Sequence, residues 1–390
     1  MKILIYVHSW APHIGGVETI TRELAEGLTR PPKDGDSMQV TLATQTPAGT
    51  MDDASWPFRV VRQPGLVELL RLMRDADVIH VAGPALAPLI LGLLLRKPLV
   101  VEHHGFQSTC PNGQLLYEPT RSPCPGHFMA KRYRECLRCN AATGRGTSWK
   151  MWTLTFARRW LCKAVSANIT PTAWLEEQLK LPRTTTIHHG LSAGVGNQGV
   201  LVKDRQPGII NFTFQGRLVS TKGAQVILAA AGRLKSQRLP FHLNLIGDGP
   251  NRRNLESLAH EFQIHDVVRF LGYRSGQELE AALAEADAML MPSLGGEVFG
   301  LVALESMLRG KLVVVSDIGA LTEVVGDAGM VCSTGDVDAW ATCMAKLIQN
   351  PALCSELGGK ARERALKFFS EDTMIHEHLR MYERGITRSR

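Results

Sequence analysis

The chain has 390 residues, 44% of them hydrophobic and 21% charged, which excludes a largely disordered protein and favours two domains over one. Its formal charge of +7 is uneven: Arg121 to Lys163 holds ten Lys or Arg against one acid, Glu135. Basic charge concentrated in one segment implies a local acidic partner, such as phospholipid, a lipid diphosphate or nucleic acid.

In chain order, the opening "KILIYV" reads as a buried strand; it lacks the length and cleavage site of a signal peptide. "GVETITRELAEGL" follows as a helix with Ile20, Leu24 and Leu28 on one face. "QVTLAT", "DVIHVA", "PLVVEHH", "SANITPT" and "TTTIHH" read as further strands. The longest uncharged run, Val78 to Leu95, reaches transmembrane length, but His80, Gly83, Pro84 and Pro88 interrupt it; a strand, a turn and a buried helix fit better. With neither export signal nor span, the chain is expected in the cytoplasm, peripheral at the inner face of the membrane. In the second half "INFTFQG", "FHLNLIG", "VVRFLG", "DAMLMPS" and "KLVVVSD" alternate with the helical "KGAQVILAAAGRL", "RRNLESLAHEF", "GQELEAALAEA" and "FGLVALESMLR". This alternation predicts an α/β protein with two parallel sheets. The expected boundaries are a first domain at 1–190, a linker at 191–207, a second domain at 208–369, and a final helix at 370–390 returning to the first domain.

In open parallel sheets, ligands bind beyond the carboxyl ends of the strands. After the first strand, Gly15 and Gly16 open a helix whose N–H groups suit an anion, or simply form a tight turn. After "PLVVE" come His103 and His104, either a donor to phosphate or sugar, or a structural histidine. Gly216-Arg217 and Lys222-Gly223 flank a turn, and these two cations suit a diphosphate. Gly247-Asp248-Gly249 nearly matches a dinucleotide fingerprint, but Arg252 replaces the third glycine, which counts against a nicotinamide enzyme. In "EVFGLVALE", a helix starting near Phe299 leaves Glu297 just outside and Glu305 about two turns in. Carboxylates accept hydrogen bonds and sugars are rich in hydroxyls, so the acids could grip two polyols flanking a diphosphate.

Four of the eight cysteines, Cys110, Cys124, Cys136 and Cys139, lie in a Pro- and Gly-rich insert at about 105–145. Four thiolates on structural zinc would fold it; an iron–sulfur cluster, a redox disulfide or unrelated thiols are the alternatives. Next, Trp149, Trp152, Phe156 and Trp160 share a helical face beside Lys150, Arg158 and Arg159. Such a stripe is either core-facing or suited to an anionic membrane surface. The D-x-D triplets Asp34/Asp36, Asp75/Asp77 and Asp336/Asp338 read as turns and helix caps rather than metal ligands.

Together, "GGVE", "GRLVSTKG", "GDGP" and E-x-F-G-x-x-x-x-E, in this order, resemble the family-4 retaining glycosyltransferases of the GT-B fold over nearly the whole chain. The resemblance implies two Rossmann-like domains facing across a cleft, the second holding a nucleotide-sugar donor, UDP- or GDP-sugar, and the first a glycan or lipid-diphosphate-linked acceptor. It implies that Arg217 and Lys222 neutralise the diphosphate and that Glu305 binds ribose. Glu297, with backbone N–H groups of Phe299, Gly300 and Leu301, would hold the transferred sugar. Gly272 and Tyr273 would lie beside the base, Gly16 near the phosphate, and His104 would face the reacting sugar. No metal is then needed for the chemistry. A GT-B hydrolase or epimerase of the nucleotide sugar is an alternative, as is a non-catalytic nucleic-acid-binding protein. Nucleic acid is not expected as a partner, because the basic residues sit in one insert and no nucleic-acid-binding module is visible.

Overall fold

The computed structural model describes residues 1–13, 15–30, 38–49, 51–195 and 208–389. Most of the expected linker and the Asp34/Asp36 triplet lie outside the described residues. The strands are β1 Lys2–Val7, β2 Gln39–Thr44, β3 Arg59–Arg62, β4 Val78–Ala82, β5 Leu99–Glu102, the short hairpin β6 Leu116–Tyr117 and β7 Ser122–Pro123, β8 Ala167–Thr170, β9 Thr184–Thr186, β10 Ile210–Gln215, β11 Phe241–Ile246, β12 Val268–Gly272, β13 Ala288–Met291, β14 Leu312–Ser316 and β15 Met330–Cys332. The helices are α1 Gly16–Thr29, α2 Leu66–Asp75, α3 Leu86–Leu94, α4 Tyr133–Cys139, α5 Arg145–Cys162, α6 Ala173–Leu179, α7 Ala224–Ser236, α8 Arg252–Glu261, α9 Gly276–Ala284, α10 Leu301–Leu308, α11 Leu321–Val325, α12 Val337–Gln349, α13 Ala352–Phe368 and α14 Glu371–Ser389.

The chain divides into two compact units. One comprises 1–115, 125–192 and 369–390, the other 116–124 and 193–368. The first contains a parallel sheet ordered β3-β2-β1-β4-β5-β8-β9 and the second a parallel sheet ordered β12-β11-β10-β13-β14-β15. Central strands buried on both faces read as unbroken apolar runs, as "VIHVA" and "LVVVS" do. In α1, Ile20, Leu24 and Leu28 recur every four residues and are all buried. The second unit's core gathers Phe212, Phe214, Leu243, Leu245, Leu290 and Val314 from its strands with Trp340 of α12.

Strand order fixes where a ligand can sit. Each sheet reverses its winding once, between β1 and β4 in the first unit and between β10 and β13 in the second. Adjacent connections there leave in opposite directions and open a crevice at the carboxyl ends.

Two sequence expectations need correction, and one open alternative is decided. The helix expected from Phe299 begins at Leu301, because Gly300 takes a left-handed conformation (φ 87°) before it. Glu305 therefore lies one turn into α10, not two. The aromatic stripe of α5 is not core-facing: its buried residues are Ser148, Thr155, Leu161 and Cys162, while Trp149, Phe156 and Trp160 are exposed. Trp149, Trp152 and Phe156 pack instead on one another and, through Tyr133 and Phe128, on the insert. Among the triplets, Asp336 caps α12 by accepting from the N–H groups of Asp338 and Ala339, and Asp77 accepts from the Lys2 N–H. No helix among the described residues is long and apolar enough to cross a membrane.

One glycine joins the two halves of the second unit's crevice. Gly223, with φ 71°, packs so closely on the end of β13 that a Cβ there would collide with the Pro292 carbonyl oxygen. Gly223→Ala is therefore expected to cost on the order of 2–4 kcal/mol. Urea unfolding with unchanged stability would refute this packing.

Candidate functional site

The 3-10 turn Ser220–Lys222 after β10 lies against the segment following β13. The Thr221 carbonyl accepts from the N–H groups of both Leu294 and Gly295, at 2.8 and 3.1 Å. This fastening brings Lys222 Nζ within 2.5 Å of Glu297 Oε1, and Ser293 Oγ donates to the same oxygen at 2.8 Å. On the far side the Glu297 carbonyl accepts from the Ala320 N–H at 2.9 Å. Burial pushes the Glu297 carboxyl up, but Lys222 and Ser293 outweigh it and hold the group below its ordinary value. Lys222 remains about one-third exposed, so its ammonium can also reach a ligand.

Glu305 sits on α10, one turn from its start. Burial raises its pKa; Arg309 acts against the shift and Glu280 with it. Arg309 is committed elsewhere, donating to both Glu280 oxygens and to the Glu305 carbonyl oxygen rather than to its carboxylate. Glu305 is thus a carboxyl group poised for hydroxyl partners without a strong cation of its own.

The remaining expected residues of the second unit ring the same strand ends. Arg217 and Asp248 are exposed just beyond β10 and β11. Gly216 and Gly247 bring those ends together: the Gly216 N–H donates to Ile246 O and the Gly247 N–H to Gly272 O. Tyr273 is exposed after β12, whereas the Phe299 ring is buried and anchors the entry to α10. Arg252, which breaks the dinucleotide fingerprint, approaches Gly272 and pairs with Asp248 and Glu256. Ser293, Thr221, Ala320 and Arg309 were not identified from the sequence, because their contacts bridge separations that no local spacing encodes.

Gly15, Gly16, His104 and three of the four insert cysteines belong to the first unit. Gly15 is the extended residue preceding α1, and Gly16 begins it. The His104 side chain is only 5% exposed and turns Nε2 toward Glu102 Oε2, at 3.5 Å. Glu102, buried at the end of β5, also faces His80, His189 and His378. Burial pushes its carboxyl up, but the imidazoles, His104 foremost, outweigh it and hold the group well below the usual range. The same burial lowers His189 and His103 to about 4; His103 is fixed by Asn168 at 2.9 Å. Glu102 was overlooked in the sequence, although an acid closing the apolar run "LVVE" before two histidines is a visible signal.

In the insert, the Cys110 thiol donates to Asn112 Oδ1 and Asn112 Nδ2 donates to Cys139 Sγ, so an amide stands between the two sulfurs. Cys136 lies one turn before Cys139 on α4. Cys124 follows the hairpin and is grouped with the second unit. Among the described residues, the side-chain groups compact enough to hold a metal are His80/Glu102/His378 and Glu102/His104/His189, and neither includes a cysteine.

Both units resemble known proteins. Residues 14–193 match the model of Glycosyltransferase Family 4, and residues 203–364 that of Glycosyl transferases group 1. Glycogen synthase of Mycobacterium tuberculosis is 28% identical over 251 residues, 61% of this chain and 60% of that one. The MMP alpha-(1->4)-mannosyltransferase of Mycolicibacterium hassiacum is 35% identical over 176 residues, 44% of this chain and 42% of that one. The chain therefore spans less than two thirds of the length of these curated relatives. HepE of Anabaena in complex with UDP superposes with a TM-score of 0.71 at 17% identity, covering 97% of this chain and 99% of that one. Sucrose-phosphate synthase of Thermosynechococcus elongatus does so with a TM-score of 0.73 at 19% identity, covering 99% of each. These likenesses establish the fold.

The raised pKa of Glu305 gives a test that needs no substrate. A carboxyl whose pKa is raised by folding favours the native state most when protonated, and that contribution is lost as pH rises through its native pKa. Glu305→Gln should therefore have a higher Tm than the parent near neutrality. The difference should shrink to nothing as pH falls below the ordinary value of 4.5, as read by calorimetry across pH.

Proposed function

The chain belongs to the family-4 glycosyltransferases of the GT-B fold, and we propose that it moves a sugar, with retention of anomeric configuration, from a nucleotide-sugar donor to a glycan or lipid-diphosphate-linked acceptor in surface polysaccharide or glycoconjugate synthesis. The observation that carries this reading is the Lys222–Glu297 pair at the β10/β13 switch point. A cation, a hydroxyl-accepting acid and the start of a helix converge there, matching the diphosphate and sugar of such a donor in both charge and hydrogen-bonding capacity.

Without donor, Lys222 and Glu297 neutralise each other. Donor binding exchanges partners: Lys222 turns to the diphosphate with Arg217, and Glu297 accepts from sugar hydroxyls. Glu305 takes the ribose hydroxyls, and Tyr273 with Gly272 and Asp248 borders the base. As the sugar–phosphate bond breaks, negative charge grows on the leaving diphosphate, where Lys222, Arg217 and the α10 N–H groups stabilise it. The departing phosphate oxygen takes the acceptor's proton, so no separate base and no metal enters the chemistry. Gly15 and Gly16 admit the donor phosphate, and His104 supports the reacting sugar. The complexes of HepE with UDP and UDP-glucose make uridine the first base to test.

A structural zinc on Cys110, Cys124, Cys136 and Cys139 is the second element of this reading. It requires Asn112 to withdraw so that the sulfurs can close on the ion, since Zn–S bonds of about 2.3 Å leave no room for an interposed amide. The exposed Trp149, Phe156 and Trp160, amid ten cations and one acid, would hold the first unit against an anionic membrane carrying the acceptor.

Thermal shift with UDP-, GDP- and ADP-sugars should show stabilisation by one nucleotide class. Glu305→Ala should weaken that donor about 10–100-fold by removing charged hydrogen bonds to ribose. Lys222→Ala should lower kcat about 10²–10³-fold, the range for losing one preorganised transition-state contact. Full activity in either variant would refute the site. Flotation with anionic and with zwitterionic vesicles tests the membrane surface: preferential recovery with the former should fall several-fold in Trp149→Ala/Trp160→Ala, and equal recovery of the parent would refute it.

A further inference from the structure

The first unit buries a carboxylate among imidazoles from β4, from the segments after β5 and β9, and from α14. We infer that His80, Glu102 and His378 form a buried divalent-metal site of the zinc class, joining β4, β5 and the C-terminal helix α14. This inference does not depend on the donor-site reading.

The geometry has three parts. First, His80 Nε2 lies 3.1 Å and His378 Nε2 3.7 Å from the same oxygen, Glu102 Oε2, and the three ligand atoms fall within 4.8 Å of one another. Tetrahedral zinc with N and O ligands at about 2.0–2.2 Å places its ligand atoms roughly 3.4 Å apart, between the two observed spacings. Second, the remaining ring nitrogens have partners of the kind metal-bound histidines use. His378 Nδ1 is 2.8 Å from the Met374 carbonyl oxygen, and His80 Nδ1 is 2.9 Å from Tyr382 Oη. A carbonyl only accepts, so Nδ1 of His378 carries the proton, and in the neutral ring the Nε2 lone pair faces the carboxylate. Two acceptors facing each other repel unless a cation lies between them. Third, the Nε2 atoms of His80 and His378 are buried and make no hydrogen bond, although both point at this oxygen. Side chains that are 0–1% exposed do not leave such atoms unsatisfied without cost.

The chemistry of the donors suits the assignment. Two imidazoles and one carboxylate are borderline ligands favoured by zinc and its neighbours, and their outward hydrogen bonds fix ring orientation. His104 Nε2 also lies 3.5 Å from this oxygen but is not one of the three compact ligands. The ion would be structural, clamping α14 onto the sheet at the strand end that carries His104.

The alternative is a doubly protonated His378 paired with Glu102, and the experiment separates the two. The full chain is made without a histidine tag in zinc-supplemented medium, in parent form and with Cys110→Ser/Cys136→Ser/Cys139→Ser, which removes the insert thiols as ligands. Elemental analysis should find about one zinc per chain surviving in the serine background, as expected for a dedicated buried site. Chelation should lower its Tm, and added zinc should restore it. Cobalt added to the depleted serine variant should give visible d–d bands without sulfur-to-metal charge transfer. His378→Gln in that background should lose the zinc at least tenfold. A folded serine variant that retains no zinc and takes up no cobalt overturns the inference, as does undiminished zinc in folded His378→Gln. Should His378→Gln fail to fold by circular dichroism, the cobalt titration alone decides.

Discussion

The second unit's site depends on a backbone crossing. The Thr221 carbonyl takes N–H groups from Leu294 and Gly295, and Gly223 lets the turn lie directly on Pro292. Lysine has a long stem with much rotamer freedom, and alone it would hold no fixed position. Here the main chain delivers its Cα to Glu297, so most of the positioning is complete before any ligand arrives. A site set by backbone hydrogen bonds loses little on binding, which is what catalysis by positioning and charge stabilisation requires. Ser293 and the Ala320 N–H fix Glu297 from two more directions, so the position of the acid does not depend on Lys222 alone.

Most of the architecture was legible, for a physical reason. Parallel strands covered on both faces must be apolar throughout, and "KILIYV", "FHLNLI" and "LVVVS" announce themselves. In the two parallel sheets, the strands that escaped notice, β3 "RVVR" and β15 "MVC", are short and sit at sheet edges, where the apolar requirement lapses. The start of α10 was misplaced because "FG" was read as helix, although a glycine in the left-handed region ends one path and begins another. The α5 stripe was left open for a different reason. Helical spacing shows that Trp149, Phe156 and Trp160 share a face, but not whether that face meets protein or solvent. Arg217, Lys222, Glu297 and Glu305 were singled out because they sit in short ordered motifs. Their supporting contacts were not, because Ser293, Thr221 and Ala320 act through hydrogen bonds whose partners only folding brings together.

The two units treat buried charge in opposite ways, and the contrast separates their roles. Glu297 faces an ammonium that is about one-third exposed, so solvent and ligand can compete for both groups. Glu102 faces His80, His104, His189 and His378, with side chains 0–6% exposed, on a strand, two strand-end segments and a helix that would have to move before any could leave. Exchange is cheap in the first arrangement and requires local opening in the second. An exchangeable pair suits a group that must release one partner to hold another each turnover. A sealed cluster suits a fixture.

That difference bears on His104, which the family resemblance assigns to the sugar. Its Nε2 faces Glu102, so only the opposite ring edge and the backbone remain for a ligand. A carboxylate on one imidazole nitrogen sets the orientation of the ring and favours a proton on that side, leaving the other nitrogen as an acceptor. His104 would then receive a hydrogen bond from a sugar hydroxyl rather than donate one to a phosphate. In the proposed reading the anion-binding duty then falls on Lys222 and Arg217, where the charge already lies. The buried acid of the first unit thus limits which edge of its histidine is open to a ligand.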